Sequence, residues 1–431
     1  MAPITFVQAP LGAEYSGFAR VLLKRHIGKI MFCRCRFLEE DIQMIFRKES
    51  LENYSQIVNS PKGSLLEVSG KKIHSSKGTP SLEITSAVVV HIYKGNLPDP
   101  QNPLSNKLRY RRRVIDLTTN EASFMLLKRQ SVALMTIRKF LYEEKYGEFV
   151  TGTLQEVFEG GQAVPFETYC RAASKTVFLS LTSELKLKRL LVAGFSRVFE
   201  ISQSFRNEGS DKVHTPEFTL LEAYAHGSGY LDMMKLLECM VEKIAEEIES
   251  GSAPLFTSGR YKAPFERLVF KEVFESHFGD FDRFNIEYLS GLMPEMFNVA
   301  MSRFTWIMKL IEKVFVPTIP GPAFLVGLPA GMSPFVKNMD DGITTERAFF
   351  VADGLFIADI YTDENDFEKV RNSLEQQMLV TGNKPNEEYL TMLSLGLGRS
   401  AGLGMGLNRL AMLFLGVLPN DIKETILYPI S

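Results

Sequence analysis

The sequence predicts an α+β protein in two domains: a β-barrel up to about residue 100, and a larger mixed domain over residues 101–431. Three observations carry this. Short strand-like runs recur at regular spacing between Gly17 and Tyr93, as in a small barrel. A Pro- and Asn-rich stretch from Gly95 to Asn106 reads as a linker. Beyond it, helical and strand-like patterns mix without strict alternation, which favours α+β over a doubly wound sheet.

The barrel elements follow in order. Phe18–Leu23 is one run and Lys29–Phe37 another. Asp41–Phe46 follows a Glu-Glu-Asp turn, Ser64–Gly70 is a fourth, and Leu82–Ile84 with Val88–Tyr93 completes the set. After the linker, Thr118, Thr119 and Asn120 are capping candidates for a helix running to about Tyr146 and stopped by Gly147. Its apolar positions Phe124, Leu127, Leu134, Ile137 and Leu141 recur at helical spacing. A second helix is expected from about Leu231 to Ile248. Strand-like runs lie at Arg197–Ile201, Phe218–Tyr224, Ala348–Ala352 and Gly402–Leu407.

Composition limits the classes of function. Apolar residues make up 45% and charged residues 23%, ordinary values for a globular protein that builds its own core. The net charge is −2, so any nucleic-acid contact has to come from local basic clusters. Cys33 and Cys35 alternate along one strand and share a face, without further ligands at metal-site spacing; with Cys170 and Cys239 they are read as reduced thiols. The opening Met-Ala-Pro-Ile-Thr is not a signal-peptide pattern, and no stretch approaches the ~18 apolar residues of a membrane span. A cytoplasmic protein without a membrane partner is expected.

The chemistry concentrates between Glu184 and Tyr224. A strand there ends in Arg206-Asn207-Glu208, and a returning strand begins near His214 and Phe218 and reaches Glu222 and Tyr224. An Arg fork suits a carboxylate or phosphate, and a Phe face suits a purine. Glu222 and Tyr224, two apart on a strand, project to one side and can grip an ammonium. A second stretch, Ala401–Leu413, spaces three glycines closely before Arg409 and an apolar helix, where backbone and positive charge can face an anion.

These stretches resemble motifs 2 and 3 of the class II aminoacyl-tRNA synthetases, in the form of the lysine enzymes, down to the closing Ile426-Leu427-Tyr428-Pro429. The resemblance covers most of the chain. Residues 1–100 are similar to the family's anticodon-binding OB-fold barrel. Arg109–Leu117 matches the junction into the catalytic domain and Glu156–Phe166 the segment after motif 1; only about 251–325 is weakly matched, and it looks shortened.

The resemblance implies an OB-fold barrel followed by a mainly antiparallel sheet with flanking helices, and ATP-dependent activation of lysine or a lysine-like amino acid as an adenylate, with transfer to a lysine tRNA. It implies that Arg206 holds the substrate carboxylate and α-phosphate, that Glu208 reads the adenine amino group, that His214 lies near the phosphates, that Phe218 stacks on adenine and that Arg409 clamps the γ-phosphate. Glu184 would bind the α-amino group, Glu222 and Tyr224 would line the side-chain pocket, and Asp363 would meet the ε-ammonium. In the barrel, Arg25, Phe32 and Gln43 stand where the family reads anticodon bases. A homodimer is expected.

The chain departs from the family's pattern at telling positions. Thr153 replaces the motif 1 proline. The two acidic residues that hold Mg²⁺ on the phosphates align with Ala348 and about Phe356, and a further glutamate aligns with Gly331. Asp353 and Asp359 are the nearest carboxylates to take over as metal ligands, ahead of Asp340, Asp341 and Glu346. Two other readings follow from these departures: a relative that passes the activated amino acid to a non-tRNA acceptor, and a non-catalytic tRNA-binding protein.

Overall fold

Alternation in the first hundred residues closes a barrel. The computed structural model describes residues 6, 8–98, 104–157, 163–250, 258–381, 387–414 and 421–430. The expected linker Gly95–Asn106 and the run Glu156–Phe166 lie partly outside these. By contacts the chain divides into two compact units, Met1–Leu127 with Leu427–Ser431, and Lys128–Ile426.

In the first unit, β1 (Glu14–Ile27), β2 (Ile30–Phe37) and β3 (Glu40–Arg47) form an antiparallel meander. The short helix α1 (Tyr54–Asn59) leads to β4 (Leu65–His74) and β5 (Pro80–His91). The barrel closes in the order β1-β2-β3-β5-β4, with β3 and β5 parallel. Leu38 and Glu39 turn the β2–β3 hairpin with φ of 49° and 64°, the left-handed pair that matches the twist of the flanking strands. Alternation sends Met31, Cys33, Cys35 and Phe37 into the core and leaves Phe32 and Arg34 on the outer face. All four cysteines are free thiols. Two short helices, α2 (Asn106–Arg111) and α3 (Arg113–Thr119), follow; Arg109 and Arg113 both pair with the buried Asp116 at 2.9 Å.

Helix α4 (Glu121–Glu143) is capped by Asn120, whose Oδ1 accepts from the Ser123 N–H. It stops before the expected Gly147: Lys145 takes the left-handed conformation, φ 68°, and the Tyr146 N–H closes on Leu141. The strands that follow are β6 (Gly147–Glu148), β7 (Leu154–Gln155), β8 (Glu167–Cys170) and β9 (Lys175–Leu179); the last three form a small separate sheet. Then come α5 (Glu184–Val192), the hairpin β10 (Arg197–Phe205) and β11 (Glu217–His226), and α6 (Tyr230–Ser250). The weakly matched region contributes β12 (Glu266–Val269), α7 (Phe270–Phe278), α8 (Ile286–Leu292), α9 (Arg303–Leu310) and β13 (Ala323–Val326). Strands β14 (Arg347–Ala352) and β15 (Leu355–Thr362), helices α10 (Phe367–Thr381) and α11 (Glu387–Ser394), strand β16 (Ser400–Gly406) and α12 (Leu407–Phe414) complete the unit.

The main sheet has eight strands in the order β12-β13-β14-β15-β16-β11-β10-β6, antiparallel except at its two outer pairs. One face is apolar. It carries Phe199, Leu221, Ala223, Leu403, Ile360 and Ala348 and packs on α6, whose Met233, Leu237, Val241, Ile244 and Ile248 recur at helical spacing and are buried. Over the β12–β14 end, the other face is covered by an aromatic cluster from α7, α9 and the turn after α9 that includes Phe270, Phe274, Trp306 and Phe315. The middle of that face carries polar side chains, and the site lies there.

Candidate active site

Register across the central strands brings together residues far apart in sequence. Residues in direct register share a face. Glu200, Glu222, Gly404, Asp359 and Phe349 form one row across β10, β11, β16, β15 and β14. Val198, Tyr224, Gly402, Tyr361 and Arg347 form the next. The two rows lie side by side because the strand period is two residues. The glycines divide the work: a Cβ on Gly402 would stand 2.1 Å from two carbons of the Tyr224 ring, whereas one on Gly404 would meet only Glu222 Oε1, at 3.9 Å. Gly402 admits the tyrosine, and Gly404 leaves the floor open.

At one end of this face lies an acid-lined pocket. Glu222 is buried; its carboxylate accepts from the Thr182 hydroxyl and from the Ser183 N–H and Oγ at 2.5 and 2.6 Å. Burial pushes its pKa up to about 7 against these hydrogen bonds, with the Glu184 charge adding to the rise. Glu184 opens α5 and accepts from the Tyr361 hydroxyl at 2.5 Å. Asp363, just beyond β15, is buried and accepts from Ser400 Oγ at 2.6 Å. The Tyr224 phenol is held well above its ordinary pKa, first by burial and then by the Glu184 and Glu222 charges. All four residues expected around the amino acid therefore meet in one place. Sequence reading missed three members of this pocket. Lys188 is fully buried between Glu184 and Asp363, Tyr361 faces it from β15, and Arg347 pairs with Asp359. The i,i+4 spacing of Glu184 and Lys188 on a helix was the available signal for the first.

At the other end lie two guanidinium groups. Arg206 directly follows β10, stands 5.1 Å over the Phe218 ring, and has a buried Nε that donates to nothing among the described residues. Arg409, in the first turn of α12, donates to the Val213 carbonyl at 3.2 Å and the Phe356 carbonyl at 2.8 Å. Burial lowers the pKa of both; for Arg409 the Glu312 carboxylate opposes this and the Arg206 charge adds to it. Two partly desolvated cations close enough to repel make a seat for an anion. Glu208 Oε1 accepts from the Val164 N–H at 3.2 Å. The His214 ring lies 2.9 Å from Asp211, which also accepts from the Val213 and His214 N–H groups. Those hydrogen bonds outweigh burial and keep the Asp211 carboxyl below its ordinary range.

The residues expected to hold Mg²⁺ do not assemble. Ala348 points into the apolar core on the opposite face, and its neighbour Phe349 stands on the site face against Phe356, ring centroids 4.8 Å apart. Asp353 is paired with Arg260 and accepts from the Tyr261 hydroxyl at 3.2 Å. Asp359 is gripped through both oxygens by Arg347, with Nε to Oδ1 at 2.8 Å. Asp341 is spent on turn contacts with Ile343 and Thr344, and Glu346 lies 3.7 Å from Lys337. Among the described residues no group of three or more His, Cys, Asp or Glu is arranged to hold a metal ion. Hard cations need oxygen ligands, and these positions do not fit a protein-held Mg²⁺.

On the barrel, Arg25 and Phe32 are direct cross-strand neighbours, as are Arg34 and Gln43. All four line one groove on the outer face, with Gln43 Nε2 donating to Ser81 Oγ at 2.8 Å. Arg34 is held by Asp41 and, at 3.0 Å, by Glu121.

An antiparallel sheet with a cation pair over one end and an acidic, aromatic pocket over the other is the plan of a class II synthetase. The chain belongs to the class II tRNA synthetases: the family model for the D, K and N enzymes matches residues 105–431. Within that family it is similar to a lysine–tRNA ligase of Enterococcus faecalis, 31% identical over 97% of this chain and 87% of that protein. A lysine–tRNA ligase of Idiomarina loihiensis is also 31% identical, over 98% and 87%, and one of Methanoculleus marisnigri is 30% identical, over 96% and 85%.

Proposed function

We propose that this chain activates lysine with ATP and transfers it to a lysine tRNA. One observation carries the reading: Arg206, with the Arg409 charge beside it, continues the strand face that carries Glu222 and Tyr224 of the acidic pocket. An amino acid bound with its ammonium groups in the acidic pocket directs its carboxylate to Arg206. ATP laid between the two arginines, with its base against Phe218, offers its α-phosphorus to that carboxylate. In-line attack forms the aminoacyl adenylate and expels pyrophosphate. Positioning and charge neutralisation carry such a step, without a dedicated base. The arginines of this chain supply that neutralisation; ATP itself carries whatever Mg²⁺ it brings.

The groove of Arg25, Phe32 and Gln43 supports anticodon reading, since an aromatic face beside amide and guanidinium groups suits unstacked bases. A homodimer is part of the same reading. Met135 and Tyr142 on α4 and Val150 beyond it are 62%, 77% and 90% exposed, apolar area that a second copy would cover. Among the described residues no helix is long and apolar enough to cross a membrane.

ATP–pyrophosphate exchange with a panel of amino acids tests the reading. Lysine-stimulated exchange, followed by lysine transfer to tRNA, is the expected result. Exchange with lysine but no tRNA charging would favour a non-tRNA acceptor. Folded protein that binds tRNA but exchanges with no amino acid would favour the non-catalytic reading, to which the Phe349–Phe356 pair points.

A further inference from the structure

The amino-acid pocket contains a cation of the protein's own. Lys188, on the second turn of α5, is completely buried, with Nζ 2.7 Å from Glu184 Oε1 and 2.7 Å from Asp363 Oδ1. The rings of Tyr361, Phe335 and Tyr224 surround it at 5.0, 5.2 and 5.4 Å from Nζ to centroid. Burying an ammonium is costly unless it is paired. Burial works against its charge here, but the Asp363 and Glu184 carboxylates outweigh that and hold its pKa well above the ordinary lysine value. Lys188 is therefore a cation at neutral pH.

The charges in the pocket can be balanced residue by residue. Above the Glu222 pKa of about 7, Glu184, Glu222 and Asp363 contribute three negative charges; Glu200, next to Glu222 in the row, is turned to the Thr151 N–H and hydroxyl. Asp359 is cancelled by Arg347, and Arg206 is directed at the substrate carboxylate. The phenols of Tyr224, Tyr361 and Tyr389 stay protonated, each held above its ordinary pKa chiefly by burial. Lys188 offsets one carboxylate, so the pocket keeps two negative charges. An amino acid with two ammonium groups matches that number; one with a neutral side chain leaves a buried charge uncompensated. Asp363 Oδ1 is buried against the Lys188 ammonium, without an aligned hydrogen bond among the described residues.

We propose that Lys188 is a positioning and specificity-determining residue: by cancelling one of the three pocket carboxylates it sets the pocket to the charge of a diamino acid and orients Glu184 and Asp363 for its two ammonium groups. This rests on the reading of the site as a lysine-activating one.

The test counts protons. Lysine binding to the full chain is measured by calorimetry at about pH 8 in two buffers of different ionisation enthalpy, for wild type, Lys188→Met and Lys188→Arg, with exchange kinetics alongside. Wild type and Lys188→Arg are expected to bind lysine with little net proton uptake or release, because the charges already match. Lys188→Met is expected to take up a proton, up to one per lysine, and to bind lysine more weakly as pH rises, since the third carboxylate of the complex then has no cation and has to be protonated. Its KM for lysine should rise ~10-fold or more, about 1.4 kcal/mol, with a smaller change in kcat. A Lys188→Met protein with the wild-type proton count and lysine KM would overturn the role of Lys188 while leaving the lysine reading intact. Should that variant fail to fold, wild type alone decides: uptake of close to one proton per lysine would mean that Lys188 offsets nothing. Absence of any lysine heat with wild type would overturn both readings together.

Discussion

The ring of Tyr224 lies over the α-carbon of Gly402, so close that a single methyl group at 402 would overlap two ring carbons, at 2.1 Å. Tyr224 is buried, and β11 and β16 pair directly at this point. Neither the ring nor the backbone can give way without disturbing the pocket. Gly402→Ala is therefore expected to cost about 1–3 kcal/mol of stability, the usual range for overpacking, and to raise the KM for the amino acid more than that for ATP. Thermal denaturation and exchange kinetics check both. An alanine variant with wild-type Tm and KM would mean that the Tyr224 ring does not rest on the glycine.

Arg206 and Phe218 make the second test. The guanidinium lies over the ring, its Nε without a hydrogen-bond partner among the described residues, at the point where carboxylate and α-phosphate would meet. Arg206→Ala is expected to reduce pyrophosphate exchange by about 10²–10³-fold, the scale for losing one preorganised donor, while tRNA binding by fluorescence stays close to wild type. Exchange at the wild-type rate would refute the site assignment.

Glu222 predicts a pH dependence. Its pKa is pushed up to about 7 by burial, so free enzyme below pH 7 holds a proton there. A protonated carboxyl cannot pair with an ammonium. Lysine affinity should therefore rise as pH increases through about 7, and Glu222→Gln should flatten that profile. The same shift acts on stability with a definite sign. The folded form binds the extra proton between the ordinary value of 4.5 and about 7, so this group makes the fold less stable as pH rises through that window. An inflection in lysine KM near pH 7 that persists in Glu222→Gln would assign it to another group.

In the barrel, Phe32 stands opposite Arg25 and is half-buried on the outer face. If it stacks on an anticodon base, Phe32→Ala should weaken tRNA binding by about 1–3 kcal/mol, and pyrophosphate exchange without tRNA should be unaffected. Equal tRNA affinity for the two proteins would make Phe32 a structural side chain only.

Much of the architecture was legible along the chain. Alternating runs from Gly17 to Tyr93 specified a barrel, because a period of two commits each side chain to one face. The spacing on α6 specified a buried stripe. Most of the proposed site was legible in the two motifs because their residues are contiguous: Arg206, Phe218 and Glu222 fall on one hairpin, and Gly402 to Arg409 on one strand–helix junction. Which distant residues meet was settled only by the folding of the chain. Lys188, Arg347, Tyr361 and Asp363 come from three separate segments, and strand register together with the start of α5 brings them into one pocket. A one-residue difference in register decided that Ala348 faces the core and Phe349 the site. Ion pairing decided that Asp353 and Asp359 are held by arginines. Pairing and register are long-range properties, set by which strands lie side by side, and no local pattern along the chain encodes them.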